Sequence, residues 1–199
     1  MKILPLILLA SSFSVMVSAA EPFPEPFGLN WGMTESQLKK SGFKSASPAG
    51  KFNVLTSVST PKAWSRADTY MAVTYRKKLV KVIAHSRAFT SDIYGRDGKA
   101  LYNQVKSLLI QKYGEPKRSH ERTGLALYDD ADEFYQCLKY SGCGNYISLF
   151  EYQNGYISVQ LEGTGRGKGY LSVAYESPAF YAAKNTIEQS NNQSDTEAF

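Results

Sequence analysis

The segment from Gly163 to Gly169 contains the residue types that could bind an anion. It reads Gly-Thr-Gly-Arg-Gly-Lys-Gly, and a glycine-rich loop can direct backbone N–H groups at a phosphate. The spacing matches neither the P-loop nor the dinucleotide-binding fingerprint, and residues 170–176 alternate like a strand where both motifs require a helix. The pattern favours a flexible or bulged connection between strands. Contact of Arg166 and Lys168 with an anion or a partner protein is the functional alternative.

Acidic and imidazole side chains offer a second possible chemistry. Four carboxylates fall within residues 129–133, and calcium prefers oxygen ligands, but their spacing is not that of an EF-hand loop. Only two histidines occur, His85 and His120, and no Gly-x-Ser-x-Gly nucleophile motif is present. We therefore predict no metal, no cofactor and no enzymatic activity. A cell-wall or glycan-acting enzyme that uses the acidic loop is the alternative hypothesis.

The first twenty residues have the layout of a secretory signal peptide. One positive charge at Lys2 precedes a mostly apolar run from Ile3 to Met16, and small residues lead up to Glu21. No cysteine lies near the predicted cleavage site, so lipidation is not expected. We predict export to the periplasm, which makes a nucleic-acid partner improbable. Loss of Lys2 lowers the formal net charge from +5 to +4, and no later stretch is long and apolar enough to span a bilayer.

The predicted export bears on whether the two cysteines form a disulfide. Cys137 and Cys143 are separated by five residues, and an oxidising compartment permits a disulfide between them. Closing so small a ring contributes roughly 2 kcal/mol. The bridge would hold a loop that presents Lys139 and Tyr140 to a partner, or it would be a local staple. A zinc site is not expected, because two cysteines without a nearby histidine supply too few ligands.

The N-terminal part of the mature chain predicts a lead-in followed by a short helix. Residues 21–27 contain three prolines and favour an extended segment. Thr34 and Gln37 have the spacing of a capping box, and Gly42 is placed to end the helix in a left-handed conformation.

Alternating apolar and polar residues predict the strands. We assign strands to residues 52–59, 69–75, 79–86, 146–152, 156–162 and 170–176, and a weak one to 125–128. A two-residue turn at Lys77-Lys78 would pair Val73 with Val82. The turn of the next hairpin is either Asn154-Gly155 alone or Gln153-Asn154-Gly155 with a bulge. Its first strand is apolar on both sides and is expected to be central in the sheet.

These elements predict an α+β fold. A second helix begins near Asp97 and ends at Gly114, a short third one begins at Pro178, and residues 190–199 form a polar tail expected to be disordered. We predict one domain over residues 28–189. It contains two helix-plus-antiparallel-strand units, at 28–90 and 95–177, with the helices packed on one sheet face.

The sequence Trp31-Gly32-Met33-Thr34 before a short helix resembles the helix opening of small exported bacterial domains of the BamE (SmpA/OmlA) type. Tandem helix-plus-sheet units are also similar to the β-lactamase-inhibitor-protein fold. Both families act by binding proteins, so the resemblance implies a non-enzymatic interaction module. It transfers no binding residue, and the chain lacks the lipidated cysteine of the lipoprotein members.

The last two strands suggest a binding surface. Their aliphatic residues alternate with tyrosine, serine and other polar or small residues, among them Tyr156 and Tyr170. Tyrosine is favoured in interfaces because it supplies contact area at low rotamer cost. We predict that the aliphatic side packs on helices and that the tyrosine side binds another envelope protein, as an inhibitor, an immunity factor or an assembly accessory would. A small-ligand carrier whose tyrosines line a pocket is a further alternative.

Overall fold

The computed structural model describes residues 22–125 and 127–198. The predicted signal peptide, residues 1–20, lies outside the described residues. The helices are α1 (Glu35–Lys40), α2 (Arg96–Tyr113), α3 (Phe134–Lys139) and α4 (Pro178–Ala198). The strands are β1 (Lys44–Ala49), β2 (Phe52–Ser57), β3 (Ala67–Tyr75), β4 (Lys78–Ser86), β5 (Arg118–Arg122), β6 (Asn145–Tyr152), β7 (Gly155–Gly165) and β8 (Lys168–Glu176). No helix in these ranges is both apolar and long enough for a membrane crossing.

All eight strands form one antiparallel sheet in the order β1-β2-β3-β4-β8-β7-β6-β5. Each half is a meander, and the antiparallel pairing of β4 with β8 joins the two meanders. The α+β class and the antiparallel sheet are therefore confirmed. The predicted central position of residues 146–152 is wrong, because β6 has only the exposed strand β5 outside it.

One side of the sheet, which we call the covered face, packs against α1, α2 and α3. Leu38 of α1 joins a buried cluster with Tyr70 and Val82. Tyr102 of α2 and Tyr135 of α3 join a second cluster with the aliphatic residues of β7 and β8. The buried aliphatic residues of these two strands are Ile157, Val159, Leu161, Leu171 and Val173. The predicted inward direction of these side chains is confirmed.

The fourth helix lies on the opposite side of the sheet. The Phe180 ring lies 5.4 Å from that of Phe52, and the Tyr181 ring lies 5.0 Å from that of Tyr156. The prediction that the helices share one face is therefore wrong for α4. It follows β8 after a single residue, Ser177, whose hydroxyl donates to the Val80 carbonyl.

The helix from Pro178 is also longer than predicted. It continues to Ala198, where the sequence predicts a disordered tail after residue 189. Its last turns are exposed, and side chains there donate to the carbonyls of the preceding turn, as Thr186 does to Ala182 and Ser194 to Ser190. A prediction based on apolar periodicity does not detect local hydrogen bonds of this kind.

Two hairpins turn one residue earlier than the sequence predicts. The β3–β4 turn is Arg76-Lys77, with positive φ at both residues, so Tyr75 pairs with Lys78 and Ala72 with Val82. The predicted Val73–Val82 pairing is wrong: Ala72 pairs with Val82, so Tyr70, Ala72 and Thr74 are buried on the covered face, and Val73 is buried on the opposite side. A one-residue slip exchanges the faces of a strand, and charged residues in a type I′ turn give no glycine signal.

The β6–β7 turn is Gln153-Asn154, and Gly155 is already paired with Tyr152. Neither of the two predicted turns is correct. Gly155 is required for a different reason: a Cβ at this position would overlap the Phe23 ring and the Glu176 carbonyl oxygen. Phe23 belongs to the lead-in, which lies across the domain with its phenyl ring in the core.

The elements that the sequence does not predict are short and mostly polar. The capping box of Thr34 and Gln37 is confirmed, Gly42 has a φ of 91° after α1, and α2 ends before Gly114 as predicted. The strands β1 and β5 and the helix α3 are not predicted. Both strands are fully exposed and lack apolar alternation, and the described residues of 125–128 lie outside any strand.

Candidate functional site

The side of the sheet opposite the covered face, which we call the open face, is the candidate site. Residues that pair directly across strands share a face, so the register defines two rows. One row runs from β2 to β5 through Thr56, Met71, Ile83, Ala174, Ser158, Leu149 and Arg118. The next row contains His85, Ser172, Gln160, Ile147 and His120.

The middle of the open face is apolar and only partly exposed. Met71, Ile83 and Leu149 all retain some contact with solvent, and Ala174 is 8% exposed. Small side chains at Ser158 and Ser172 separate these residues, which leaves the sheet backbone close to the surface. A flat surface of this kind buries apolar area when a partner covers it.

Only α4 packs on this side among the helices of the described residues, and it covers one end. Its contacts fall on the row formed by Lys81, Glu176 and Tyr156 and on Phe52 of β2. Lys81 Nζ lies 2.6 Å from Glu176 Oε1 and 5.0 Å from the Phe180 ring centre. The Tyr181 hydroxyl donates to the same carboxylate. The remaining rows stay uncovered by any helix.

Tyr170 lies at the uncovered end of the open face. Its ring centre is 4.7 Å from that of His85, and Glu162 pairs with it from β7. Burial raises the pKa of the Glu162 carboxyl and lowers the pKa of His85. Burial, with a contribution from Glu162, also raises the pKa of the Tyr170 hydroxyl. The result is an aromatic patch whose ionisable groups are held toward their neutral forms, which suits contact with an apolar surface.

Tyr156 does not join this patch. It lies six residues from Glu162 along β7, or about 20 Å at the usual rise of a strand. Its ring packs against Tyr181 of α4. Both tyrosines lie on the open face, but α4 covers the end at which Tyr156 lies.

The glycine-rich segment is a hairpin turn with a bulge, as the sequence favours. Gly165 pairs with Lys168, and the register shifts between Gly163 and Gly165. A Cβ at Gly163 would overlap the Tyr135 carbonyl oxygen, and one at Gly169 would overlap the Tyr135 ring. These two glycines therefore allow α3 to pack closely on the sheet.

The two basic residues of this turn have different surroundings. Arg166 forms an ion pair with Asp132, so its charge is already balanced by the acidic loop. Lys168 is exposed at the start of β8 and has no ion-pair partner among the described residues.

The cysteine loop lies on the side of the covered face. Cys137 and Cys143 are disulfide-bonded, with their Cα atoms 5.1 Å apart, which confirms the predicted pairing. Lys139 and Tyr140 are exposed, as predicted. They lie at the C-terminal end of α3, however, and so the structure does not bring them together with Tyr170 on the open face.

The acidic loop and the two histidines lie in separate parts of the fold. In the part of the chain that the structure describes, no three His, Cys, Asp or Glu side chains converge as metal ligands. His85 and His120 share the open face but belong to strands four positions apart, which separates them by about 19 Å.

A groove lies between the lead-in, the start of β4 and the start of α4. It has a volume of about 660 Å³ and is lined mainly by apolar residues, including Phe23, Trp31, Leu79, Val80 and Pro178. The indole N–H of Trp31 donates to the Pro24 carbonyl, which fixes the ring at the groove wall.

Met71, Ile83 and Leu149 are the site residues that sequence reasoning misses. The register error in the β3–β4 hairpin assigns Met71 to the wrong side, and the assignment of β6 as a central strand conceals Leu149. Only the correct pairing, Met71 with Ile83 and Leu149 with Ser158, places them on one surface.

Comparison with protein-family models, with curated proteins and with solved structures finds no match. The likeness of Trp31-Gly32-Met33-Thr34 to BamE-type domains therefore stays a prediction.

Proposed function

We propose that this protein is an exported, periplasmic binding module that docks another protein on its open face. The observation that carries the proposal is that α4 covers only one end of an eight-stranded sheet. A continuous surface of partly exposed apolar, small and aromatic side chains remains, and contiguous exposed apolar patches mark interaction sites. The predicted signal peptide and the disulfide are compatible with export, where envelope proteins are the available partners.

The docking surface consists of the apolar middle and the Tyr170 patch. Met71, Ile83 and Leu149 supply area that becomes buried on binding, and Tyr170 with His85 supplies a rigid aromatic contact. Lys168 borders this end as an exposed charge. Tyr156, Lys139 and Tyr140 are not part of the proposed surface.

Photocrosslinking in intact cells tests the proposal. A photoreactive amino acid at Gln160, in the middle of the open face, is expected to yield a defined adduct with one envelope protein. The same residue placed at Ser107, exposed on α2 on the other side of the sheet, is the matched control and should not yield that adduct.

A pair of substitutions then blocks the surface. Ser158→Arg with Ser172→Arg introduces two bulky cations on the open face, and we expect at least a tenfold loss of the adduct from Gln160. Asn103→Arg with Ser107→Arg introduces the same groups on the exposed side of α2 and should leave it unchanged. An adduct that survives the first pair at full yield would reject the open face as the docking site.

The apolar groove favours a second candidate function, that of a small-ligand carrier. Its volume of about 660 Å³ falls in the range of small-molecule sites. Native mass spectrometry of freshly purified protein checks this, since a carrier would retain a bound molecule. Val80→Trp, which fills the groove, should then release it.

A further inference from the structure

The strand β5 is a free edge of the sheet. Residues Arg118–Arg122 pair only with β6, and all five are exposed. Among the described residues, no backbone hydrogen bond satisfies the groups of β5 that face away from β6. A row of unpaired N–H and C=O groups is a template for another strand.

The covered side holds β5 in place. The Ser119 hydroxyl lies 2.7 Å from that of Ser148. The Glu121 carboxylate accepts hydrogen bonds from Tyr102 at 2.9 Å and from Lys106 at 2.6 Å. Burial favours the neutral form of Glu121, but these donors outweigh it and lower its pKa. The edge is therefore fixed in an extended shape before any partner arrives, which reduces the entropy lost on binding.

The other side of β5 presents a stripe of basic side chains. Arg118, His120 and Arg122 alternate with the two anchored residues and pair with Leu149, Ile147 and Asn145 across the sheet. Successive members lie about 7 Å apart. None of the three has an ion-pair or side-chain hydrogen-bond partner among the described residues. The stripe thus lacks a counter-charge.

The opposite edge of the sheet is built differently. The strand β1 is equally exposed, but its register shifts between Ser45 and Pro48. Pro48 has no N–H group. A bulge and a proline are devices that prevent an edge from pairing, and β5 has neither. Only the β5 edge is therefore suited to extension.

We propose that β5 accepts an extended acidic segment of a partner protein as a ninth strand. Backbone hydrogen bonds to the free edge provide affinity, as in other β-strand additions. Asp or Glu at alternate positions of the segment would lie opposite Arg118 and Arg122, where opposite charges across strands are favourable. The proposal goes beyond docking on the open face and does not depend on it, since the edge can pair whether or not that face is covered.

A peptide-binding experiment tests this. The probe is a fluorescent peptide of about nine residues that alternates threonine and glutamate, and its anisotropy is followed as full-length mature protein is added. We expect saturable binding that weakens at least tenfold in the variant Arg118→Glu with Arg122→Glu. Lys44→Glu with Lys51→Glu makes the same charge change at the β1 edge and should leave binding unchanged.

Two further probes separate strand addition from simple charge attraction. A peptide of the same sequence with N-methyl groups at alternate amides keeps every charge but cannot pair along the edge, and we expect it not to bind. Equal binding of the methylated peptide would overturn the proposal. Preference for vesicles of anionic phospholipid over the unmethylated peptide would also overturn it, in favour of a membrane surface.

Hydrogen exchange supplies an independent readout. The amides of β5 that face away from β6 should become protected when the unmethylated peptide binds, whereas those of β1 should not. The milder variant Arg118→Gln with Arg122→Gln removes the two charges without reversing them, and its circular dichroism shows whether it is folded. We expect it to bind the peptide more weakly than the wild type, even if the charge-reversed variant misfolds. Unchanged exchange in β5 at saturating peptide would place the peptide elsewhere and refute the ninth strand.

Discussion

On β7, Ile157, Val159 and Leu161 are at most 1% exposed, whereas Ser158 and Gln160 between them remain partly exposed. The covered and open faces thus differ at every second residue of the same strand. Three helices, α1, α2 and α3, pack on the first face together with residues of the lead-in. Among the described residues α4 is the one helix on the second face, and it lies at one end. We therefore expect substitutions on the covered face to affect stability and substitutions on the open face to affect binding.

The sharpest test of the comparison uses two glycines two positions apart on β7. Gly163→Ala should cost about 4 kcal/mol or abolish the native fold, because the new methyl group overlaps the backbone of α3 at Tyr135. Gly165→Ala has nothing within 4 Å of its Cβ, so we expect a neutral or slightly stabilising effect. Urea unfolding followed by circular dichroism measures both, and equal costs would contradict the close packing of α3.

The next test compares neighbouring residues on opposite faces. Leu161→Ala removes a side chain that is 1% exposed and should lower the free energy of unfolding by about 3 kcal/mol. Gln160→Ala, on the open face, should change it by less than about 0.5 kcal/mol. A large loss from Gln160→Ala would show that something in the protein itself covers the open face.

We expect acidification to lower the stability of the folded protein through His85 on the open face. Burial lowers the pKa of His85, so the unfolded chain binds the proton more tightly than the folded protein does. The stability contributed by this group is full above its ordinary pKa of 6.5 and is lost as the pH falls through the interval down to the folded pKa. The titratable groups that face it are Tyr170 and, beyond it, Glu162.

We therefore expect the wild type to lose more stability between pH 7.5 and 5 than the variant His85→Gln. Urea midpoints at the two pH values measure this. His120→Gln, at the exposed edge strand, is the control and should retain the pH dependence of the wild type. If His85→Gln and the wild type lose the same stability, His85 is not held neutral by burial.

The smallest expected effect concerns Glu162. Burial raises its pKa above the ordinary 4.5, so its contribution to stability is greatest at acid pH and decreases as the pH rises through the folded pKa. Glu162→Gln should therefore raise the melting temperature at pH 7, by at most about 4 °C. This gain should vanish below pH 4, and Glu188→Gln on the exposed part of α4 should show none.

Local chemistry in the sequence determined several elements correctly. Thr34 and Gln37 define the start of α1, apolar residues at helical spacing predict α2, and alternation predicts β7 and β8. The direction of the aliphatic residues follows from that alternation, since an apolar side must be buried. The cysteine pairing follows from there being only two cysteines.

The candidate site was only half accessible to this kind of reasoning. The sequence indicates a face of tyrosine and serine that contains Tyr156 and Tyr170, but it does not show that α4 packs on Tyr156. It also misses Met71, because a turn of Arg76-Lys77 gives no glycine or asparagine signal for the register. The edge strand β5 is missed because Arg-Ser-His-Glu-Arg has no apolar alternation to detect.

Sequence patterns therefore sufficed for α1, α2, the start of α4 and the strands that alternate in polarity, and for which sides of the last strands are apolar; β1, β5 and α3 were missed. Only the tertiary structure decided where α4 lies, which residues pair across β3 and β4, and that β5 is an edge with an unbalanced basic stripe. The two kinds of information act over different distances along the chain. Caps and periodicity act within a few residues, whereas register, sheet order and counter-charges depend on contacts between residues far apart in the chain, such as Lys106 with Glu121 or Lys81 with Glu176.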